Sequence, residues 1–181
     1  MGNKEVEFKF QITQKQKEDI QKELNATAEY LGKTRQVDTY YIPDFKQFEI
    51  NGQTMECLRI REVDDNKTLG YKKIHREVTP VYCDEYELKI DDKTAMEKIL
   101  FSLGFEIQMV IDKTRETYRL GGLEFDFDSV CGLGELLEVE LINQNEEPSV
   151  VFEFLKPFGL SKENVTYKGI QVMLKEATKK I

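Results

Sequence analysis

Like charges two residues apart recur along this chain in stretches that otherwise read as strands. Arg59 pairs with Arg61, Glu85 with Glu87, Lys113 with Arg115, Asp126 with Asp128 and Glu138 with Glu140, while Glu5 and Glu7 lead to Lys9. On a β-strand, residues i and i+2 share a face and lie roughly 6.5–7 Å apart. Two like charges at ~7 Å repel by ~0.6 kcal/mol in water and by ~2.4 kcal/mol at an effective dielectric of about 20. Apart from Thr114, the residues that alternate with them are apolar: Val6, Phe8 and Phe10; Leu58 and Ile60; Tyr86, Leu88 and Ile90; Leu123, Phe125 and Phe127; Leu137, Val139 and Leu141. Each strand therefore has one face suited to a hydrophobic layer and one that concentrates charge.

An open sheet with a solvated face is the simplest way to satisfy this pattern, because charge runs are usually solvated. A solvated face, however, gains from mixing signs, and here acids and bases are sorted into blocks along the chain. Roughly eight or more strands with apolar faces turned outward toward helices could instead close into a barrel with a charged lumen. Bound cations would neutralise its acidic block and a polyanion its basic block. A divalent metal bridged to phosphate oxygens does both, and magnesium suits the role because it takes carboxylate oxygens while keeping water and phosphate in its shell.

The remaining elements follow from periodicity. Thr13 reads as the N-cap of a helix that carries Ile20 and Leu24, after a strand over Glu5–Gln11. Strand-like runs occupy Val37–Ile42, Glu56–Val63, Thr68–Ile74 and Val81–Ile90. A helix is predicted from Lys93 to Leu103, with Met96, Ile99, Leu100 and Leu103 on one stripe and Gly104 as its stop. Strands over Phe105–Asp112, Lys113–Leu120, Leu123–Val130 and Leu136–Ile142 follow, with Gly121-Gly122 as a hairpin turn. Val150, Val151, Phe154, Leu155 and Phe158 mark another amphipathic helix ending at Gly159, and a last helix runs from about Tyr167 to Ala177. With no Pro/Gly/Ser-rich linker and no fixed-period repeat, residues 1–181 are expected to form a single domain.

Composition narrows the function. Apolar residues make up 40% of the chain, enough for a core, and the formal charge is −8, from 26 basic against 34 acidic residues. That balance argues against nucleic acid, since no global positive field gathers phosphate backbones, but a small anion in a locally basic cleft is still accommodated. Cys57, Cys83 and Cys131 lie far apart without CxxC spacing, which reads as reduced thiols in a cytoplasmic protein. The polar, charged N-terminus predicts no signal peptide, and Val6 stands where a myristoylation motif wants Ser or Thr. No apolar run reaches membrane-spanning length. Apolar strand faces left bare by the polar first helix would suit a homodimer contact.

In order along the chain, these segments resemble one family. Glu5-Val6-Glu7-Phe8-Lys9 resembles the N-terminal ExExK signature of the CYTH superfamily, the triphosphate tunnel metalloenzymes. Asp38-Thr39-Tyr40-Tyr41 is similar to its tyrosine-bearing strand, Leu58-Arg59-Ile60-Arg61 to its LRIR strand, and Tyr71-Lys72-Lys73 to the lysine strand that follows. Glu85-Tyr86-Glu87 and Lys113-Thr114-Arg115 resemble its ExE and KxR pairs. Phe127 to Gly134, followed by Glu138-Val139-Glu140, resembles the closing aspartate, GLG turn and ExE. Val165-Thr166-Tyr167 is similar to the terminal motif of the class IV adenylyl cyclase branch.

The resemblance implies an α+β fold, a closed antiparallel eight-stranded barrel with helices outside, a triphosphate in the tunnel, and Mg2+ or Mn2+ as cofactor. By position, Glu5, Glu7, Glu138, Glu140 and Asp128 would hold metal. Lys9, Arg59, Arg61, Lys72, Lys113 and Arg115 would hold phosphate oxygens, with the arginines suited to bidentate contact. Glu85 and Glu87 would orient the basic groups or join a second metal site, and Asp126 reads as a solvated acid. Lys9, Lys72 and Asp128 are the candidates for chemistry, with either lysine as a base if cationic neighbours depress its pKa.

The nucleophile divides the activity. Water at the terminal phosphorus gives a triphosphatase acting on tripolyphosphate, a nucleotide or thiamine triphosphate. A ribose 3′-hydroxyl at the α-phosphorus gives an adenylyl cyclase. Tyr40, Tyr41 and Tyr71 read as packing residues first and stacking platforms second, and His75 reads as a loop residue. A non-catalytic polyphosphate or nucleotide sensor would use the same tunnel, although carboxylates add nothing to pure anion binding. An open α+β interaction domain is the third reading.

Overall fold

The computed structural model describes residues 3–143 and 146–178 and shows an α+β fold. In chain order the elements are β1 (Asn3–Glu5), β2 (Glu7–Ile12), α1 (Gln14–Thr27), β3 (Glu29–Pro43), β4 (Glu49–Ile50), β5 (Gln53–Thr54), β6 (Glu56–Val63), β7 (Asn66–His75) and β8 (Tyr82–Lys89). They continue with α2 (Lys93–Ser102), β9 (Phe105–Leu120), β10 (Leu123–Val130), β11 (Gly134–Leu141), α3 (Ser149–Leu155), β12 (Val165–Thr166) and α4 (Ile170–Thr178). The main sheet has the strand order β1-β8-β7-β6-β3-β9-β10-β11-β2-β12, and β4 and β5 form a separate pair. Its contacts divide the chain into two compact units. One is built mainly from Arg35–Lys113 and α4, the other from Glu5–Thr34 and Thr114–Tyr167.

In the second unit, register follows from alternation. Phe8 lies opposite Val139 and Phe10 opposite Leu137 across β2 and β11, and Phe125 and Phe127 lie opposite the same two residues across β10 and β11. All six are buried, and Ile20 and Leu24 of α1 join their cluster. A one-residue slip would turn this whole set toward the charged face, so burial pins the register. Thr13 caps α1 as the sequence indicates. Its hydroxyl accepts from the Gln16 amide at 3.2 Å, and the Gln16 side chain accepts from the Thr13 amide at 3.0 Å. Lys17, also buried, spans to Ser129 and Glu135, each at 2.9 Å. Val151 and Leu155 of α3 complete the core, and Gly159 ends the segment in the left-handed conformation, with φ 75°.

The first unit has its own core of Tyr41, Phe48, Leu58, Ile60, Ile90 and Leu100, with Met96 packed against it. Here several expectations change. Met96 and Leu100 of α2, one turn apart, face this core, while Ile99 and Leu103 are more than half exposed, so the helix buries a narrower stripe than its composition suggests. Tyr86 and Leu88 of β8 are likewise about half exposed. Phe105–Asp112 and Lys113–Leu120 form one continuous strand, β9, because no glycine or proline interrupts them and Asp112 alone does not turn the chain. Strand β3 begins at Glu29, eight residues before Val37, and in this early part Tyr30 and Leu31 are adjacent, so no alternation marks it. Helix α4 starts at Ile170 rather than Tyr167.

Phe127→Ala should cost about 3–5 kcal/mol, the usual range for emptying a fully buried aromatic site. Urea denaturation of both proteins measures it, and a loss below about 1 kcal/mol would contradict the packing described.

Candidate functional site

In the first unit, alternation places Asp38 and Tyr40 of β3, Arg59 and Arg61 of β6, Lys72 of β7, and Glu85 and Glu87 of β8 on the face opposite the apolar cluster. Strand pairing sets Asp38 against Arg61 and Tyr40 against Arg59. It also sets Lys72 against Glu85 and Gly70 between Arg59 and Glu87. A Cβ on Gly70 would sit 3.6 Å from the Glu87 carboxylate and 3.8 Å from Arg59 Nε, so glycine leaves open the space into which both side chains project.

Asp38, fully buried, organises this face. Its carboxylate accepts two bonds from Arg61, each 2.7 Å, and Arg59 stands 3.8 Å away. Burial by itself would push the Asp38 carboxyl up. The Arg61 hydrogen bonds and the charges of Arg59, Arg61 and Lys113 outweigh burial and hold it at about 2. Arg59 also approaches Glu85 at 3.8 Å, and Lys72 approaches Glu85 at 3.2 Å. Burial and the neighbouring Asp38 raise the Tyr40 hydroxyl to about 12. The four cations Arg59, Arg61, Lys72 and Lys113 face the three carboxylates Asp38, Glu85 and Glu87, a small positive surplus.

The second unit has the opposite balance. Across β2, β11 and β10 the residues line up in rows: Glu7, Glu140 and Glu124 in one, and Lys9, Glu138 and Asp126 in the next. Directly opposed like charges are destabilising, so these rows need cations. Lys9 bonds Glu138 at 2.9 Å and lies 3.6 Å from Glu7, and Arg119 takes Glu124 at 2.7 Å. Arg115 joins the others. Its Nε and Nη2 donate to the two oxygens of Asp128 at 2.7 and 2.6 Å. Its Nη1 donates to Asp126 and its Nη2 also to Glu138, each at 2.5 Å.

Three carboxylates hold the Arg115 guanidinium firmly charged despite burial, well above its usual value. Burial, with the adjacent Glu138 and Asp128, raises the Asp126 carboxyl even though Arg115 and the Thr117 hydroxyl oppose it. Asp126 is thus a bonded member of the cluster rather than a solvated acid. Sequence could have suggested this through Thr117, its hydroxyl partner at 2.6 Å, which follows Lys113 and Arg115 in the same alternation.

The carboxylates Glu7, Glu138 and Glu140 offer hard oxygen donors of the kind magnesium and manganese prefer, and Glu7 and Glu140 are directly opposed. In donor chemistry the set fits a divalent cation. Among the described residues, though, no three carboxylate, imidazole or thiolate groups converge as a ready-made metal cage. Lys9 and Arg115 stand among the carboxylates instead, and both oxygens of Asp128 are taken by Arg115.

His75 is the last residue of β7 rather than part of a loop. It stacks on Tyr82 with ring centres 4.6 Å apart, and its nitrogens meet Asp84 at 2.8 Å and Glu77 at 3.1 Å. Tyr41 and Tyr71 are packing residues whose hydroxyls donate to Glu97 and Glu56. Cys57, Cys83 and Cys131 form no disulfide. Among the described residues no helix is long and apolar enough to cross a membrane. The organising part played by Asp38 was not apparent from sequence, since one acid inside a tyrosine-rich strand has no spacing partner.

An antiparallel sheet whose strands bury apolar residues on one face and concentrate paired charges on the other is the frame of this α+β fold. Residues 3–170 match the CYTH domain, and the chain belongs to that family. It is 34% identical over 171 residues to a Methanocaldococcus jannaschii protein named a "putative adenylate cyclase", spanning 91% of this chain and 95% of that one. The solved structure of a Pyrococcus horikoshii protein superposes with a TM-score of 0.78 at 24% identity, over 94% of this chain and 99% of that one. A Hippeastrum structure, described as a "putative adenylyl cyclase" that reveals a dominant triphosphatase activity, has the same fold, with a TM-score of 0.66 at 17% identity over 97% and 96%.

The depressed Asp38 carboxyl sets a pH dependence. Its folded value of about 2 lies below the ordinary 3.8, so its contribution is present above pH 4 and disappears as pH falls toward 2. The difference corresponds to about 2 kcal/mol. Urea denaturation between pH 2 and pH 5 should give Asp38→Asn a flatter stability profile than the wild type; parallel profiles would refute the assignment.

Proposed function

We propose that this protein is a divalent-metal-dependent enzyme that processes a triphosphate-containing small molecule, with its strands closed into the eight-stranded barrel typical of its family. The observation that carries the reading is the row arrangement that sets Glu7 against Glu140 and Glu138 against Asp126, with Lys9 and Arg115 among them. Pure anion binding has no use for opposed carboxylates, and a metal–phosphate ligand does. Magnesium or manganese, when bound, would supply charge neutralisation at the reacting phosphate. Glu5, Glu7, Glu138 and Glu140 would hold it, with Asp128 joining if Arg115 lets go.

Phosphoryl and nucleotidyl transfer depend on positioning and charge stabilisation more than on covalent help. Arg59, Arg61, Lys72 and Lys113 supply cations for the phosphate oxygens, as do Lys9 and Arg115. Arg61 is held by Asp38 through two of its nitrogens, so we assign it a fixed orientation and give Arg59 the freer grip. Glu85 positions Lys72 and Arg59. Lys9 and Lys72 each have a carboxylate neighbour, Glu138 and Glu85, and both stay candidates for phosphate contact and for the base.

Two reactions fit: hydrolysis of a terminal phosphate from tripolyphosphate, a nucleotide or thiamine triphosphate, and cyclisation of ATP to cyclic AMP with release of pyrophosphate. The likeness to the Methanocaldococcus jannaschii protein favours the cyclase lyase reaction, while the fold by itself selects neither. The setting we infer is a single-domain cytoplasmic protein, acting as a monomer or homodimer without nucleic acid or membrane.

Incubation with Mg2+ or Mn2+ and ATP, tripolyphosphate or thiamine triphosphate, reading orthophosphate, pyrophosphate and cyclic AMP together, tests the proposal. Cyclic AMP with pyrophosphate establishes the cyclase, and orthophosphate from any of the three establishes a triphosphatase. No turnover with either metal would leave a polyphosphate or nucleotide sensor as the function. Arg59→Ala should lower kcat/KM by about 100-fold, as expected for loss of a charge-assisted phosphate contact of about 3 kcal/mol, with an unchanged circular dichroism spectrum. A loss under threefold would remove Arg59 from the substrate contacts.

A further inference from the structure

We propose that Arg115 is an exchangeable internal counter-ion, so that a divalent cation enters the carboxylate cluster only together with a triphosphate that draws the guanidinium away. This rests on the functional reading above and specifies its ligand as the metal–triphosphate chelate, not the free ion followed by the anion. Each oxygen of Asp126, Asp128 and Glu138 has a partner. Arg115 takes both oxygens of Asp128, one of Asp126 and one of Glu138. Thr117 takes the other oxygen of Asp126, and Lys9 the other oxygen of Glu138.

A divalent ion arriving alone must displace charge-assisted hydrogen bonds and settle beside a buried guanidinium of like sign. A triphosphate changes the balance. Its oxygens match the planar fork of Arg115 at least as well as carboxylates do, and the chelated metal takes over the carboxylates as the guanidinium leaves them. Because binding couplings are reciprocal, the metal strengthens triphosphate binding by the same factor. The device also keeps three adjacent carboxylates compatible with a folded protein when no ligand is bound.

The test uses the full chain. Wild type, Arg115→Lys and Arg115→Gln are titrated with Mn2+ alone, and free Mn2+ is read from its electron paramagnetic resonance signal. Arg115→Gln should bind at least tenfold more tightly than wild type, with Arg115→Lys between them; equal affinities overturn the proposal. Arg115→Gln leaves three carboxylates without their shared cation and can unfold, so wild type provides a second readout.

In a 15N-arginine-labelled sample, the Arg115 Nε–H resonance should stay in place with millimolar Mg2+ and move when inorganic tripolyphosphate is added with it. Displacement by Mg2+ alone overturns the proposal. So does a resonance that stays put while the phosphorus spectrum shows the tripolyphosphate bound. Failure of both tripolyphosphate and ATP to bind at all would instead overturn the functional reading, and the proposal with it. Neither readout depends on turnover.

Discussion

The charged faces of this protein hold together because cross-strand neighbours are closer than neighbours along a strand. Residues directly opposite in an antiparallel pair are about 5 Å apart, and residues i and i+2 about 7 Å. An opposite charge across the ladder therefore outweighs a like charge along it, ~3.3 against ~2.4 kcal/mol at an effective dielectric of about 20. Asp38 opposite Arg61, Glu85 opposite Lys72 and Glu138 opposite Lys9 are the pairs that use this difference. The apolar faces fix the register, and the register brings these charges together. Charge sorted into blocks along the chain thereby becomes charge interleaved in space.

Where the ladder opposes like charges, the structure turns to longer side chains. Asp126 lies opposite Glu138 and Glu7 opposite Glu140, so cross-strand pairing cannot relieve them. Arg115 reaches across to Asp126, Asp128 and Glu138 from β9, and Lys9 reaches Glu138 from β2. The rest of the fold supports these reaches. Phe8, Phe10, Phe125 and Phe127 hold the strands from behind, and the buried Lys17 ties α1 to β10 and β11. The stability of the charged faces thus depends both on the apolar register and on the reach of these long cationic side chains.

Much of this was legible in the chain. The alternation through Glu5–Lys9, Leu58–Arg61, Leu123–Asp128 and Leu137–Leu141 specifies strands with one apolar face, and the Thr13 cap, Gly121-Gly122 turn and Gly159 stop are local chemistry that tertiary structure had no reason to override. The ordered motifs identify the CYTH family, which residues 3–170 bear out. Less legible were elements without local signals. Glu29–Arg35 carries Tyr30 and Leu31 side by side, without alternation, yet forms strand, because its hydrogen bonds go to a neighbour distant in sequence. Ile99, Leu103, Tyr86 and Leu88 look like core by type, but burial depends on what packs over them.

The sequence by itself determined which residues are charged, their two-residue spacing and the apolar alternation that sends them all to one face. Those properties are local and survive any arrangement in which the segments are strands. Only the tertiary structure decided which charges meet: that Asp38 is spent on Arg61, that Asp126 is bonded rather than solvated, and that one guanidinium serves three acids. Partner choice is set by register and strand order, which join residues dozens of positions apart, and Coulomb energy at 3–5 Å depends on that geometry far more than on composition.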